Sequence, residues 1–390
     1  MRERVAVAAI AAGFLTVGCG GGGRAVVPDA GSDASDAGAV VACGQSPAGW
    51  TQRIAAGTSQ PPRPPATWHA VMAPDLVHGE VLFFGGEVQH GSTYLDEAWT
   101  WNGATGTWTN RTPTPRPASW PSARCEQRMV WDPVRKTILM FGGLTEASPV
   151  QSDELWEWDG GAGTWTNLSP TPRPAAWPEY RYSHMLAYDE ARGRLVLFGG
   201  IGPLSWPGYA GDLWEWSSAD GSWKDRTPST LPTDWPAPRQ SAGMAYDGPS
   251  GKVLLFGGWN NDVLGDFWTW DGAAGAWTQV TSSSSSAWPP SGEWETMVFD
   301  ACLGQATLVG GDGLVNNGTG AGNLPPQLWS WSSAAGAWTN LAPSPLPSNW
   351  PPAREVPAVA WDPGTLQILL VGGDPFGADP IDDTWTWETQ

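Results

Sequence analysis

Residues 194–223 read RLVLFGGIGPLSWPGYAGDLWEWSSADGSW, and this stretch contains the pattern that decides the fold. An apolar run ends in a double glycine, a Trp-x-Trp segment follows, and a further Trp comes after a short turn. The double glycine occurs six times, at 85–86, 142–143, 199–200, 257–258, 310–311 and 372–373, with second glycines 57, 57, 58, 53 and 62 residues apart. A repeat of this period indicates a solenoid or a propeller and outweighs any local interpretation.

Each repeat contains four short β-type segments separated by turn residues. In the third repeat we predict strands over His184–Tyr188, Arg194–Phe198, Leu213–Trp216 and Trp223–Asp225. The sixth repeat reaches Gln390 without a fourth segment, whereas Gly49-Trp50-Thr51-Gln52 matches a fourth segment and precedes the first complete repeat. We therefore predict that residues 48–54 form the outer strand of the last blade, which closes a ring and protects the sheet edges.

The double glycine, followed by an aromatic residue and then by a Trp after six further residues, resembles the kelch repeat. Residues 48–390 carry this resemblance, and Trp replaces the usual Tyr at the first aromatic position in Trp101/Trp108, Trp158/Trp165, Trp216/Trp223, Trp270/Trp277 and Trp331/Trp338. The resemblance implies an all-β, six-bladed β-propeller with four-stranded antiparallel blades. Because blades diverge from an axis, outer strands need large side chains, so we expect most Trp residues to be structural.

Composition and charge exclude several classes of protein. Among 390 residues, 50 Gly and 37 Pro leave little room for long helices, and 29 Trp provide ample apolar surface for a folded core. The 20 Lys and Arg residues against 39 Asp and Glu residues give a formal charge of −19. This charge repels phosphate backbones and anionic membrane surfaces, so we expect no nucleic-acid partner.

The N-terminus has the pattern of an export signal. Arg2 and Arg4 precede an apolar run from Val5 to Val17, which is too short to span a bilayer, and Leu15–Cys19 resembles a bacterial lipoprotein signal. We predict a lipoprotein signal peptide over 1–18, an acylated Cys19 with a flexible Gly/Ala/Asp tether over 19–47, and the propeller over 48–390. Gly20 resembles the outer-membrane sorting pattern. Ordinary signal cleavage beside an incidental Cys is the alternative.

In propellers of this type, one face carries the loops between blades and the loops after the double glycines. We call this the loop face, and the side with the two hairpin turns of each blade the hairpin face. Loops between blades carry an Arg four residues after a Trp-Pro pair, and an acid begins the third strand. We predict structural ion pairs between them: Arg124 with Glu154, Arg181 with Asp212, Arg239 with Asp266, and Arg354 with Asp383. The fifth blade has Gly292 and Gln327 instead.

Polar residues at the starts of the inner strands are expected to ring the channel mouth. Stacking and hydrogen bonding there could bind a sugar, and a solvated rim without a ligand is the competing interpretation. The candidate ligand-binding residues are Glu293, Glu295, Glu126, His184, Tyr182, Glu355, Trp206 and Trp259.

Sequence signals for catalysis or metal binding are weak. The four His residues lack metal-ligand spacing, and the acidic residues near Asp379 lack the spacing of a calcium loop. We expect no catalytic residues, metal or cofactor. Cys43, Cys125 and Cys302 allow one intramolecular pair in an oxidising compartment. A Cys43–Cys302 disulfide is favoured because both residues map to the hairpin face of neighbouring blades.

These observations favour an exported, lipid-anchored propeller that binds a protein or a glycan at the bacterial cell envelope. We expect a monomer attached to the membrane only through its N-terminal lipid. A sugar-processing enzyme, such as a mutarotase-like isomerase with its site at the channel mouth, is an alternative that rests on shared architecture alone. A purely structural envelope protein is the third possibility.

Overall fold

The computed structural model describes Cys43 and residues 48–58, 62–88, 93–146, 151–203, 208–281, 288–312, 327–375 and 379–389. Signal segment 1–18, Cys19 and most of the tether lie outside these residues. Every regular element within them is a β-strand, and none of the described segments forms a helix that could cross a bilayer. Six four-stranded antiparallel sheets form the blades of a propeller, which confirms the predicted fold class.

The first three blades follow one another along the chain in order from the inner strand to the outer strand. Blade 1 contains β2 (Val71–Asp75), β3 (Glu80–Phe84), β4 (Ala98–Asn102) and β5 (Thr107–Asn110). Blade 2 contains β7 (Arg128–Asp132), β8 (Thr137–Phe141), β10 (Leu155–Asp159) and β11 (Thr164–Asn167), with the short strands β6 (Arg124–Cys125) and β9 (Leu144–Thr145) paired beside it. Blade 3 contains β12 (Met185–Asp189), β13 (Arg194–Phe198), β14 (Leu213–Ser217) and β15 (Trp223–Asp225).

The last three blades keep the same order. Blade 4 contains β16 (Gly243–Asp247), β17 (Lys252–Phe256), β18 (Phe267–Asp271) and β19 (Ala276–Val280). Blade 5 contains β20 (Glu293–Asp300), β21 (Gln305–Asp312), β22 (Leu328–Ser332) and β23 (Ala337–Asn340). Blade 6 contains β24 (Ala358–Asp362), β25 (Gln367–Val371) and β26 (Thr384–Glu388), and its outer strand is β1 (Gly49–Ile54).

Strand β1 closes the ring, as the sequence predicts. It pairs antiparallel with β26, with Trp50 opposite Trp387 and Gln52 opposite Trp385. The six inner strands contact one another in a continuous circle, from β2 through β7, β12, β16 and β20 to β24 and back to β2. A disulfide joins Cys43, just before β1, to Cys302 in the first hairpin turn of blade 5. The closing segment is therefore held both by strand pairing and by a covalent bond.

In the part of the chain that the structure describes, the core consists of six apolar clusters, one at each boundary between neighbouring blades. The cluster between blades 3 and 4, for example, contains Phe198 from one blade and Trp268, Trp270 and Trp277 from the next. In every blade the Trp-x-Trp pair of the third strand and the fourth-strand Trp lie in one cluster. Burying one indole is worth about 4–6 kcal/mol as an upper bound, so packing explains most of the Trp content.

The double glycine lets the second strand of each blade pass close to its neighbours. Gly199 and Gly200 have φ values of +65° and +94°, which residues with a side chain rarely adopt. A Cβ atom at Gly199 would lie 2.5 Å from the carbonyl oxygen of Arg239, and one at Gly200 would lie 2.7 Å from that of Tyr182. Only glycine therefore fits this pair of positions.

Candidate functional site

Six equivalent residues, one per blade, immediately precede or begin the inner strands on the loop face. All six have left-handed backbone conformations although none is glycine: His69 (φ 55°), Glu126 (57°), Ser183 (51°), Ser241 (56°), Trp294 (61°) and Val356 (42°). Such a conformation costs roughly 1–2 kcal/mol per residue, so the surrounding structure must impose it. We call this set of six residues the collar.

Backbone hydrogen bonds link the collar from blade to blade. The amide of Glu126 donates to the carbonyl of His69 at 3.3 Å, and the amide of Ser183 donates to the carbonyl of Glu126 at 3.1 Å. The amide of Ser241 donates to Ser183, and that of Trp294 donates to Ser241, each at 2.9 Å. The left-handed turn thus gives each of blades 2 to 5 a backbone donor directed at the preceding blade, which holds the collar residues of blades 1 to 5 in line.

Two collar side chains reach across the channel mouth. His69 belongs to blade 1 and Trp294 to blade 5, so blade 6 separates them along the ring. Their ring centroids nevertheless lie 4.7 Å apart, and the ring centroid of Trp68 lies 4.5 Å from that of His69. The mouth is therefore narrowed by aromatic side chains, which a regular sixfold repeat would not produce.

Below the collar, the inner strands enclose a cavity of about 620 Å³. This volume falls in the range of small-molecule sites, roughly 300–1,000 Å³. Its walls are mainly apolar, and the third residue after each collar position forms a ring of Met72, Met129, Leu186, Met244, Met297 and Val359. The charged side chains that line the cavity among the described residues are Arg128, Glu190 and Glu295, and His69 is at its loop-face end.

Glu126 is the predicted site residue that the structure places in the collar. Its side chain is buried and accepts a hydrogen bond from the hydroxyl of Ser183, and its Oε1 lies 4.0 Å from Nε2 of His69. Burial raises the pKa of Glu126, while the Ser183 hydrogen bond and the charge of Arg128 act in the opposite direction. Glu126 therefore belongs to a polar group formed by blades 1, 2 and 3.

His184 does not lie at the channel mouth, contrary to the sequence-based expectation. It is fully buried between blades 2 and 3, where its ring packs edge-on against Phe141 with centroids 5.5 Å apart. Neither ring nitrogen has a hydrogen-bond partner among the described residues. Burial, together with the charges of Arg128 and Arg181, holds the pKa of His184 well below its usual value, so the ring is neutral at pH 7. His184 is thus a packing residue.

Glu295 is also enclosed rather than solvated. Its side chain is 5% exposed, and Cβ atoms built on Gly257 and Gly292 would lie within 2.4 Å and 2.3 Å of its carboxyl oxygens. Burial raises the pKa of Glu295 well above its usual value, and the charge of Glu293 adds to the effect. The carboxyl group lies beside Gly292, at the position where four other blades carry an Arg. In blade 5 the Glu295 side chain therefore takes up part of the space left by the missing Arg.

The other predicted residues form short bridges on the loop face. Tyr182 bridges to Ile201, and Glu355 bridges to Asp374, in both cases just before the collar residue. Trp259 bridges to Gln240, and its indole N–H donates to the hydroxyl of Tyr209 at 2.9 Å. Trp206 lies outside the described residues. The structure thus gathers Glu126, Tyr182, Trp259, Glu293 and Glu355 on one face but does not bring them into a single constellation.

The four Arg–acid pairs predicted from the sequence are present and support the structural interpretation. The shortest distances are 2.7 Å for Arg124–Glu154 and Arg181–Asp212, 2.6 Å for Arg239–Asp266 and 2.5 Å for Arg354–Asp383. In each pair the acid also accepts a hydrogen bond from the indole of the Trp two residues later. Each pair therefore ties a loop between blades to its own third strand.

Arg128 is the site residue that the sequence analysis missed. It is the only charged residue among the six equivalent inner-strand positions, the others being Val71, Met185, Gly243, Thr296 and Ala358. A residue-by-residue comparison of the inner strands would have revealed it. Among the described residues no group of three or more His, Cys, Asp or Glu side chains is arranged to hold a metal ion.

Similarity to known proteins agrees with this architecture. Residues 68–311 match the family model described as the KLHDC2/KLHL20/DRC7 Kelch-repeats domain. The chain therefore belongs to the kelch-repeat family, and a kelch propeller is a fold consistent with a protein-binding scaffold.

Several curated proteins are similar over part of this chain. Host cell factor 1 of Rattus norvegicus is 27% identical over 258 residues, which is 62% of this chain and 12% of that protein. Kelch domain-containing protein 10 of Xenopus tropicalis is 30% identical over 151 residues, covering 37% of this chain and 34% of that protein. Kelch domain-containing protein 3 of Bos taurus is 23% identical over 163 residues, covering 40% of each. The matched regions thus span well under half of these relatives.

Proposed function

We propose that this protein is an exported, lipid-anchored scaffold that binds a partner protein through the loop face of its propeller. The observation that carries the proposal is a contrast between the two kinds of residue on that face. The four Arg–acid pairs recur among the blades, whereas the half-buried aromatic residues on this face differ from blade to blade. These aromatic residues have no equivalent in the packing of the other blades, and Trp and Tyr are enriched at binding hot spots.

One of these aromatic groups is the pair formed by Trp259 and Tyr209. Both side chains are half-buried, and the hydrogen bond between them holds the indole in one orientation. Tyr182, also half-buried, lies on the neighbouring part of the same face. A rigid aromatic surface loses little conformational entropy when a partner covers it, which supports a protein-binding role.

The lipid anchor remains a proposal that rests on the sequence of residues 1–19. An acylated Cys19 followed by the tether over 20–47 would hold the propeller away from the lipid surface, and the charge of −19 would discourage flat adsorption on anionic lipids. Labelling of cells with a palmitate analogue tests it: the label is expected on the natural protein and not on Cys19→Ala. Label that persists on the variant would reject the anchor.

The partner-binding proposal is tested by comparing the two faces in one experiment. The propeller is used to capture proteins from the native envelope, and the affinity of any captured protein is then measured after purification. We expect Trp259→Ala and Tyr182→Ala to weaken binding at least tenfold, because a buried aromatic anchor contributes about 2 kcal/mol or more. Val134→Ser, at a 58% exposed position in a hairpin turn, is the matched control. Equal losses for all three variants, or none, would argue against a loop-face interface.

A glycan is the second candidate ligand, favoured by the Trp259–Tyr209 pair, in which the tyrosine hydroxyl accepts a hydrogen bond from the indole. Aromatic rings beside a hydroxyl group can stack on a sugar ring and hydrogen-bond to its hydroxyl groups. Calorimetric titration with a panel of envelope oligosaccharides should show binding that Trp259→Ala removes. Absence of heat across the panel would leave protein binding as the function of this face.

A further inference from the structure

The cavity beneath the collar contains a positive charge that only one blade carries at its inner-strand position. Five of the six blades have an uncharged residue at the inner-strand position of Arg128, namely Val71, Met185, Gly243, Thr296 and Ala358. The Arg residues that do recur among blades are buried against an acid, as in Arg239–Asp266. No carboxylate of the described residues lies within ion-pair distance of Arg128, and its recorded hydrogen bond goes from Nη1 to the carbonyl of Gln127 at 3.0 Å.

The nearest acid is already engaged by other groups. Glu126 accepts the hydroxyl hydrogen of Ser183 and lies 4.0 Å from His69, so its oxygens are directed toward those two side chains. Burial lowers the pKa of Arg128, and the charge of Glu126 offsets this effect only in part. Because a guanidinium is protonated at any physiological pH, Arg128 remains a cation, and it is one of the residues that line the cavity.

We propose that this cavity binds a small carboxylate with an apolar body, and that Arg128 holds the carboxylate. The apolar body of the ligand would lie against the side chains of four methionines that line the same cavity, Met72, Met129, Met244 and Met297. Flexible Met side chains adapt to ligands of different shape. The planar guanidinium can donate two parallel hydrogen bonds to a carboxylate, which a neutral or cationic head group cannot accept in the same way.

The acids in the wall favour a ligand with a single negative charge. Glu190 and Glu295 line the cavity, and the charge of Glu126 acts on Arg128. One guanidinium balances one carboxylate, whereas a phosphate dianion would bring an uncompensated charge close to these groups. This distinguishes the ligand class from phosphate esters, which present otherwise similar oxygen acceptors.

The test is calorimetric titration of the propeller with decanoate below its micelle concentration. One decanoate per chain is expected to bind, and decyl phosphate, decanol and decyltrimethylammonium are each expected to bind at least tenfold more weakly. Arg128→Met, which installs the residue that blade 3 has at this position, should weaken decanoate binding by about tenfold to a hundredfold, the usual worth of a hydrogen bond to a charged group. Lys224→Met, on the exposed side of an outer strand, removes one positive charge elsewhere and should change nothing.

Each remaining outcome counts against the proposal. No binding of decanoate to the natural protein, equal binding to Arg128→Met, or preference for decyl phosphate or decyltrimethylammonium would overturn it. If circular dichroism shows that Arg128→Met is unfolded, Arg128→Lys provides the second variant. Lys keeps the charge and loses the two-pronged geometry, so decanoate affinity should fall several-fold, and unchanged affinity would overturn the role of Arg128.

Discussion

Trp50 provides the sharpest test of how the ring closes. It lies in β1, is 2% exposed, and packs against Trp387 and Trp350 with ring centroids 5.6 Å and 6.2 Å away. Replacing a buried Trp by Ala typically costs about 3–5 kcal/mol, from lost apolar burial and the remaining cavity. We therefore expect Trp50→Ala to lower the free energy of unfolding by that amount, although the residue is 337 positions from Trp387 in the chain.

The matched control is Trp165→Ala. Trp165 occupies the equivalent position in the outer strand of blade 2, is also 2% exposed, and, like Trp50, has an indole N–H without a hydrogen-bond partner among the described residues. The two outer strands differ in their chain connection: the strand of Trp165 follows β10 directly along the chain, whereas β1 pairs with β26 from the other end of the chain. Guanidinium unfolding followed by circular dichroism should give similar losses for both variants. If Trp50→Ala stays within about 1 kcal/mol of the natural protein while Trp165→Ala does not, β1 is not the outer strand of blade 6.

Three further predictions concern an Arg–acid pair, a buried carboxyl group and the disulfide. Arg239→Met should cost stability near the lower end of the roughly 3–5 kcal/mol typical of a broken buried pair, since Asp266 is partly exposed; an unchanged melting temperature would exclude this role. Glu295→Gln should have the same stability as the natural protein below pH 4.5 and a higher stability above it. Burial raises the folded-state pKa of Glu295, so the natural protein loses about 1.4 kcal/mol of stability per pH unit between the unfolded and the folded pKa of this carboxyl group. Parallel curves of stability against pH for the two proteins would refute this. Cys302→Ser should lower stability by up to about 4–5 kcal/mol through loss of a link spanning 259 residues, and non-reducing peptide mapping should show a Cys43–Cys302 peptide in the natural protein alone.

The repeats made the fold predictable. Six copies of one pattern fix the blade boundaries, and the place of β1 follows from the fourth segment that the sixth copy lacks. The Arg–acid pairs were predictable for the same reason, since Gly292 and Gln327 replace both partners together in blade 5. A contact that recurs in several repeats leaves a recurring pair of residue types, and a single sequence is enough to reveal it.

The channel mouth was less predictable because it depends on one unusual backbone conformation. The predicted inner strand of blade 3 starts at His184, whereas the observed strand starts at Met185, after the left-handed Ser183. That turn interrupts the alternation of side chains, so His184 points between blades and not toward the mouth. Neither the left-handed turn nor the contact between His69 and Trp294 across blade 6 follows from local sequence spacing.

The central claim is that residues repeated among the blades hold the fold, whereas singular residues at the mouth and in the channel serve binding. The most direct test is the free energy of unfolding of Arg128→Met measured beside that of Arg239→Met. We predict that Arg128→Met loses no more than about 0.5 kcal/mol of stability, because no carboxylate of the described residues forms an ion pair with Arg128 and removing a buried charge relieves its desolvation cost. A loss for Arg128→Met as large as the loss for Arg239→Met would show that the fold needs both, and would contradict the claim.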